Sequence, residues 1–308
     1  MSTRRDFLRG ASALAGTLLL SSSPLQTTVG AERAVLRTRV IPSGGETIPV
    51  IGLGTSGSFE VPQGSPEYEA LKEVLKRFFD GGARLIDTAP TYGNAEDNLG
   101  ALLEELGLRK RAFIATKLSG VTGREEGLKQ FESTLARLRT DKVELLQVHN
   151  LRDWKTQLAL ARELKEEGRV RYVGLTHFLD SAHDELADVV EQTRPDFLQI
   201  NYSVTNRGAE NRLFPLAKDL GVAVLANRNF NDGALFNRVQ GKPLPAWAAQ
   251  IGVTSWAQMF LKFALSAEAV TAVIPATGKP DRLSDNLKAG LGPLLTPAQK
   301  AELIALVG

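Results

Sequence analysis

The chain has 308 residues, 43% of them hydrophobic and 23% charged, with three histidines and no cysteine. The absence of cysteine excludes disulfides, thiolate metal sites and a lipidated cysteine anchor. The formal charge is +2, and Arg4, Arg5 and Arg9 against Asp6 account for it within residues 1–31. The remainder is near neutral and carries no electrostatic footprint for nucleic acid or a membrane surface.

In chain order, Ser2-Thr3-Arg4-Arg5-Asp6-Phe7-Leu8-Arg9 has the form of a twin-arginine export motif. A mild apolar stretch over residues 11–20 follows, and Val29-Gly30-Ala31 offers small residues for cleavage before Glu32. The apolar stretch is too short to span a bilayer. The expectation is a cleaved export signal over 1–31, with the twin-arginine machinery as partner, the periplasm as destination and no stable membrane anchor. Residues 36–49, centred on Gly44-Gly45, read as a β-hairpin.

Apolar runs then alternate with amphipathic stretches, the pattern of βα units around a parallel sheet. Strands are predicted over residues 50–53, 84–87, 113–116, 145–148, 170–175, 197–200, 222–226 and 270–274. Helices are predicted over 67–80, 95–106, 125–138, 154–167, 181–192, 209–220 and 255–266, with two more over 280–289 and 297–306. Eight strands with intervening helices, uninterrupted by a repeat or linker, predict an α/β fold of one domain over 32–308, a (β/α)8 TIM barrel. Chemistry in such a barrel sits at the C-terminal ends of the strands. Asp87, Lys117 and His149 end three successive runs, and Tyr92 follows the first of them. An acid, an amine, an imidazole and a phenol converging there make a proton-donating site.

Three competing motifs fail on context. Gly52-Leu53-Gly54-Thr55-Ser56-Gly57 matches the dinucleotide fingerprint by letter. That fingerprint needs a helix to begin at once, whereas the next predicted helix waits until after Pro66. The glycines are expected instead to let the first strand turn closely beneath a bound cofactor. A metal site would have to use His149, His177 and His183 with carboxylates, and none has the spacing of a zinc hydrolase. Asn201-Tyr202-Ser203 matches a glycosylation sequon but continues a predicted buried strand.

The segments Asp87-Thr88-Ala89-Pro90-Thr91-Tyr92-Gly93-Asn94-Ala95-Glu96, Ala115-Thr116-Lys117 and Gln147-Val148-His149 resemble the tetrad segments of the aldo-keto reductases. The resemblance runs from about Leu36 to the C-terminus, and the chain is identified as a member of that family. It implies a barrel plugged at the bottom by the N-terminal hairpin, and reduction of small aldehydes or ketones with NADPH. The nicotinamide would supply hydride and Tyr92 the proton. A phenol is a weak donor near neutrality, and the Lys117 ammonium, aimed by Asp87, would stabilise the phenolate it leaves. His149 would donate or orient a hydrogen bond at the substrate oxygen.

The resemblance extends to the cofactor. Gly174-Leu175-Thr176-His177-Phe178 resembles the family's Gly-x-Ser-Asn-Phe segment, so Thr176 and His177 would meet the carboxamide, and Gln199 matches the glutamine on the same amide. In Ile274-Pro275-Ala276-Thr277-Gly278-Lys279-Pro280-Asp281-Arg282-Leu283-Ser284-Asp285-Asn286, Thr277 and Arg282 would grip a 2′-phosphate and Lys279 would add charge. Asp285 and Asn286 match the adenine-contacting pair, and Ala276 stands where many members carry Lys. The largest departure is Leu225-Ala226-Asn227-Arg228-Asn229-Phe230-Asn231-Asp232-Gly233, where the family commonly reads Ala-Tyr-Ser-Pro-Leu-Gly with an aromatic ring stacked on the nicotinamide. Phe230 or Arg228 would cover the ring there, or Arg228 would bind a pyrophosphate or an acidic substrate. Phe59, Trp154, Phe178 and Arg228 are the candidate substrate contacts. The rival reading is a non-catalytic nicotinamide-binding or regulatory barrel, and a third is a sugar-binding barrel without redox chemistry.

Overall fold

The computed structural model describes residues 35–308, so the expected export signal over 1–31, and the expected domain start at residue 32, lie outside the described residues. Among the described residues no helix is long and apolar enough to cross a membrane.

β1 (Thr38–Val40) and β2 (Thr47–Pro49) form the expected antiparallel hairpin, with Arg39 opposite Ile48. Its turn uses Gly45 at φ +68, a left-handed conformation open to glycine. The barrel strands are β3 (Leu53–Gly54), β4 (Leu85–Asp87), β5 (Phe113–Leu118), β6 (Val143–His149), β7 (Val170–His177), β8 (Phe197–Asn201), β9 (Ala223–Asn227) and β10 (Val270–Val273). Each pairs in parallel with the next, and the bridges Ile51–Val273 and Gly54–Ala276 close the ring. Gly52 N–H donates to the Val273 carbonyl at 2.8 Å, and Gly54 N–H to that of Pro275 at 3.1 Å. A Cβ on Gly54 would stand 2.8 Å from the Ile274 carbonyl oxygen. These glycines, expected beneath a cofactor, therefore serve first to close the barrel seam, and Gly54 also lies on the cavity wall described below. β3 is shorter than predicted because Val50 and Gly52 bond outward to Arg37 and Val273 rather than along a regular ladder.

The helices are α1 (Pro66–Asp80), α2 (Ala95–Glu105), α3 (Arg124–Leu138), α4 (Trp154–Glu166), α5 (His183–Thr193), α6 (Leu213–Leu220), α7 (Ala234–Arg238), α8 (Trp256–Leu265), α9 (Pro280–Lys288) and α10 (Pro297–Val307). Ser65 caps α1 by accepting from Tyr68 N–H, which places that helix well past the Gly52–Gly57 run and removes the dinucleotide-fingerprint geometry. α6 starts four residues later than predicted because a short 3₁₀ turn, Gly208–Glu210, precedes it. α7, five residues long, is too short to leave a periodic signal in the sequence.

Strand alternation sorts the barrel interior into layers. Leu85, Phe113, Ala115, Leu145, Tyr172, Phe197, Ala223, Leu225 and Ile274 face inward and pack with Ile41 and Ile48 of the hairpin segment. The hairpin thus plugs one end of the barrel. One pleat further along the same strands come Asp87, Lys117, Gln147, Gln199 and Asn227. An apolar floor carries a polar ceiling.

Candidate active site

The ceiling is organised by one buried ion pair. Lys117 is 1% exposed and Asp87 4%, and Lys117 Nζ donates to Asp87 Oδ2 at 2.8 Å and to the Thr88 carbonyl at 2.8 Å. Burial alone lowers the Lys117 pKa, but Asp87 and Tyr92 beside it outweigh that cost and hold the ammonium above the ordinary lysine value. The other Asp87 oxygen accepts from Gln199 Nε2 at 2.7 Å and Gln147 Nε2 at 3.4 Å. Gln199 Oε1 then accepts from Thr176 Oγ1 at 3.2 Å and Asn227 Nδ2 at 3.3 Å. Because a carboxylate only accepts, this chain fixes the direction of both amides.

Tyr92 is set by the turn after β4, where its N–H donates to the Ala89 carbonyl at 3.1 Å. Lys117 Nζ lies 5.0 Å from its ring centroid. The His149 ring meets it edge to face at 6.3 Å and 84°. Burial first, then the charge of Lys117, then His177, pushes the His149 imidazole down to about 3. His149 is therefore a neutral ring at neutral pH. Its Nδ1 lies 2.5 Å from Ser119 Oγ.

Asp87, Tyr92 and His149 open onto a cavity of about 490 Å³ whose wall includes Thr176, Phe178, Gln199, Asn227, Arg228 and Phe230. Gly54–Ser56 and Ile274–Ala276 complete it on the seam side. Arg228 adopts a left-handed backbone at φ +51, unusual for a side chain with a Cβ. Its guanidinium lies 4.5 Å from the Phe178 ring centroid and 3.3 Å from Asp232 Oδ2. Asn227 gives its amide to Gln199, and Phe230 and Arg228 both reach the cavity wall.

Two expected substrate contacts, Phe59 and Trp154, lie away from the cavity, and the expected cofactor contacts have the following surroundings. Phe59, expected to face the tetrad, is fully buried in the outer core. Trp154 starts α4 half-buried under the Lys155 ammonium, away from the cavity wall. His177, expected at the carboxamide, stacks on Phe178 and accepts from Leu179 N–H at 3.2 Å. Asp285 accepts from Ser255 Oγ at 2.5 Å and Gln258 Nε2 at 2.6 Å, which ties α9 to the start of α8. Asn286 is buried at 3% exposure. Thr277 Oγ1 accepts from Lys279 N–H at 3.1 Å. The Lys279 and Arg282 side chains are exposed, with no ion-pair or hydrogen-bond partner among the described residues.

Ser119, against His149, and Gln147, against Asp87, add to the site beyond the residues that end strands. Both were detectable by alternation, since Ser119 lies two residues beyond Lys117 and Gln147 two before His149. Among the described residues no group of three His, Asp or Glu is placed to hold a metal ion.

The residues fit a nicotinamide nucleotide. Buried amide and hydroxyl groups, Gln199 and Thr176, stand beside the acid–amine pair, and exposed cations, Lys279 and Arg282, stand at the start of α9. The sequence pattern of the Aldo/keto reductase family matches residues 50–306. The chain is 28% identical over 207 residues to aldo-keto reductase YhdN of Bacillus subtilis (strain 168), a match spanning 61% of this chain and 60% of that protein. It is 27% identical over 256 residues to morphine 6-dehydrogenase of Pseudomonas putida, covering 79% of this chain and 82% of that one. Its fold is similar, with TM-score 0.74 and 23% identity, to a crystal structure of an aldo-keto reductase from Klebsiella pneumoniae in complex with NADPH, covering 89% of this chain and 95% of that one.

Proposed function

The chain belongs to the aldo/keto reductase family, and on that premise we propose that it reduces aldehydes or ketones to alcohols with NADPH, Tyr92 giving the proton. The observation that carries this reading is the buried Asp87–Lys117 pair beneath Tyr92, with neutral His149 across the same cavity. When bound, the nicotinamide supplies the hydride.

The chain's own residues do the rest. Tyr92 delivers its hydroxyl proton to the carbonyl oxygen as charge develops there. The Lys117 ammonium, held charged by Asp87, stabilises the phenolate left behind. Thr176 and Gln199 would orient the carboxamide, and Phe230 or the Arg228 guanidinium would cover the ring where Asn227 cannot stack. Thr277, Lys279 and Arg282 would hold the 2′-phosphate, with Asn286 toward the adenine. Phe178 would bound the substrate.

Titrating the purified protein with NADPH and NADH, followed by nicotinamide fluorescence, tests this cradle. Binding of NADPH about tenfold or more tighter than NADH is expected from a charge-assisted 2′-phosphate contact. Equal affinities would remove the Thr277–Arg282 reading, and no binding of either would remove the cradle.

We also propose export through the twin-arginine pathway to the periplasm, on the strength of Arg4-Arg5 and the segment after it. Changing Arg4 and Arg5 to Lys is expected to retain the protein in the cytoplasm of a producing bacterium. Unchanged distribution on cell fractionation would contradict it.

A further inference from the structure

A neutral imidazole carries hydrogen on only one ring nitrogen, and the groups around it decide which. His149 Nδ1 lies 2.5 Å from Ser119 Oγ, and that oxygen lies 3.1 Å from Thr91 Oγ1. Ser119 is 6% exposed and its main chain is clamped at both polar atoms by one side chain. Its N–H donates to Gln130 Oε1 at 2.7 Å, and its carbonyl accepts from Gln130 Nε2 at 2.9 Å. Gln130 belongs to α3, so the helix behind the barrel holds the serine that holds the histidine.

The Ser119 hydroxyl has one proton and two neighbours. The contact to His149 lies within hydrogen-bond reach, and with both main-chain polar atoms of Ser119 taken by Gln130 the hydroxyl is left to serve the imidazole. When the Thr91 hydroxyl, 3.1 Å away, donates to Ser119 Oγ, the serine proton is free to go to Nδ1. Nε2 is left to carry the imidazole hydrogen.

We propose that Ser119 is a positioning residue that holds His149 in its Nε2–H form, so that the imidazole offers a donor rather than a lone pair to the substrate carbonyl oxygen. In the opposite tautomer a lone pair would face the oxygen as it gains negative charge, and the ring would oppose the reaction it now assists. The role in turnover rests on the reductase reading above; the tautomer itself does not.

The test uses the full chain labelled with ¹⁵N-histidine at neutral pH, with His149 assigned by comparison with His149→Gln. Long-range proton–nitrogen correlation is expected to show hydrogen on Nε2 in the unaltered protein, a tautomer mixture in Ser119→Ala, and return of the Nε2–H form in Ser119→Thr. Aldehyde turnover is expected to fall about tenfold in Ser119→Ala and recover in Ser119→Thr, with NADPH affinity unchanged in both. A loss caused only by looser packing would not move the tautomer. Hydrogen on Nδ1 in the unaltered protein overturns the proposal, as does a pure Nε2–H form or undiminished turnover in Ser119→Ala. The unaltered spectrum decides the tautomer even if a variant misfolds. If the unaltered protein reduces no carbonyl, the reductase reading falls while the spectrum still reports on Ser119.

Discussion

A Tyr92→Phe protein is expected to reduce carbonyls about 10²–10⁴-fold more slowly than the unaltered chain while binding NADPH equally well. The substitution removes one oxygen and leaves the ring, so the edge-to-face packing on His149 at 6.3 Å persists. Steady-state turnover of an aldehyde, alongside a fluorescence titration, separates the two effects. The expected pattern is a collapse of kcat with the cofactor dissociation constant unmoved. Loss of NADPH binding would mean that Tyr92 serves the cradle rather than the chemistry. Undiminished turnover would mean that another group supplies the proton.

The second large effect belongs to Lys117. Lys117→Met keeps the length of the side chain but strands Asp87, which is 4% exposed, without its counterion. Leaving one partner of a buried pair uncompensated costs about 3–5 kcal/mol. Chemical denaturation should show that loss, and turnover should fall with it because no ammonium remains beside a Tyr92 phenolate. The double change Asp87→Asn with Lys117→Met is expected to recover much of the stability and none of the turnover. That split assigns the pair's role to catalysis. Recovery of turnover in the double variant, or no stability loss in the single one, would break the assignment.

The barrel and the tetrad were legible for a common reason. Each strand is a short apolar run that ends where its inward side becomes polar, so Asp87, Lys117 and His149 announce both the strand and its mouth. The same alternation carries Ser119 and Gln147, which do not themselves end apolar runs. Loop aromatics carry no such periodicity. From its sequence Phe59 suits the cavity and the core equally; it lies in the core, and its carbonyl accepts from Asn98 Nδ2 of α2 at 2.8 Å. Asp285 has its partners, Ser255 and Gln258, in a different helical unit about thirty residues earlier. Nothing local distinguishes a carboxylate braced across helices from one waiting for a ligand.

Position 227 is where the family's pattern and this chain part most clearly. An asparagine there joins the amide chain from Gln199 to Asp87 instead of presenting a ring to the cavity. Beside Tyr92 and His149, the cavity wall carries the rings of Phe178 and Phe230, with the Arg228 guanidinium laid on the first of them.

The most direct measurement is the fate of the hydrogen on NADPH deuterated at C4 when the purified protein is given a small aldehyde. The account predicts deuterium on the carbinol carbon of the alcohol formed by the unaltered protein. NADPH bound but no labelled alcohol from a broad panel of aldehydes and ketones would contradict it, and would leave a nicotinamide-binding barrel without redox chemistry.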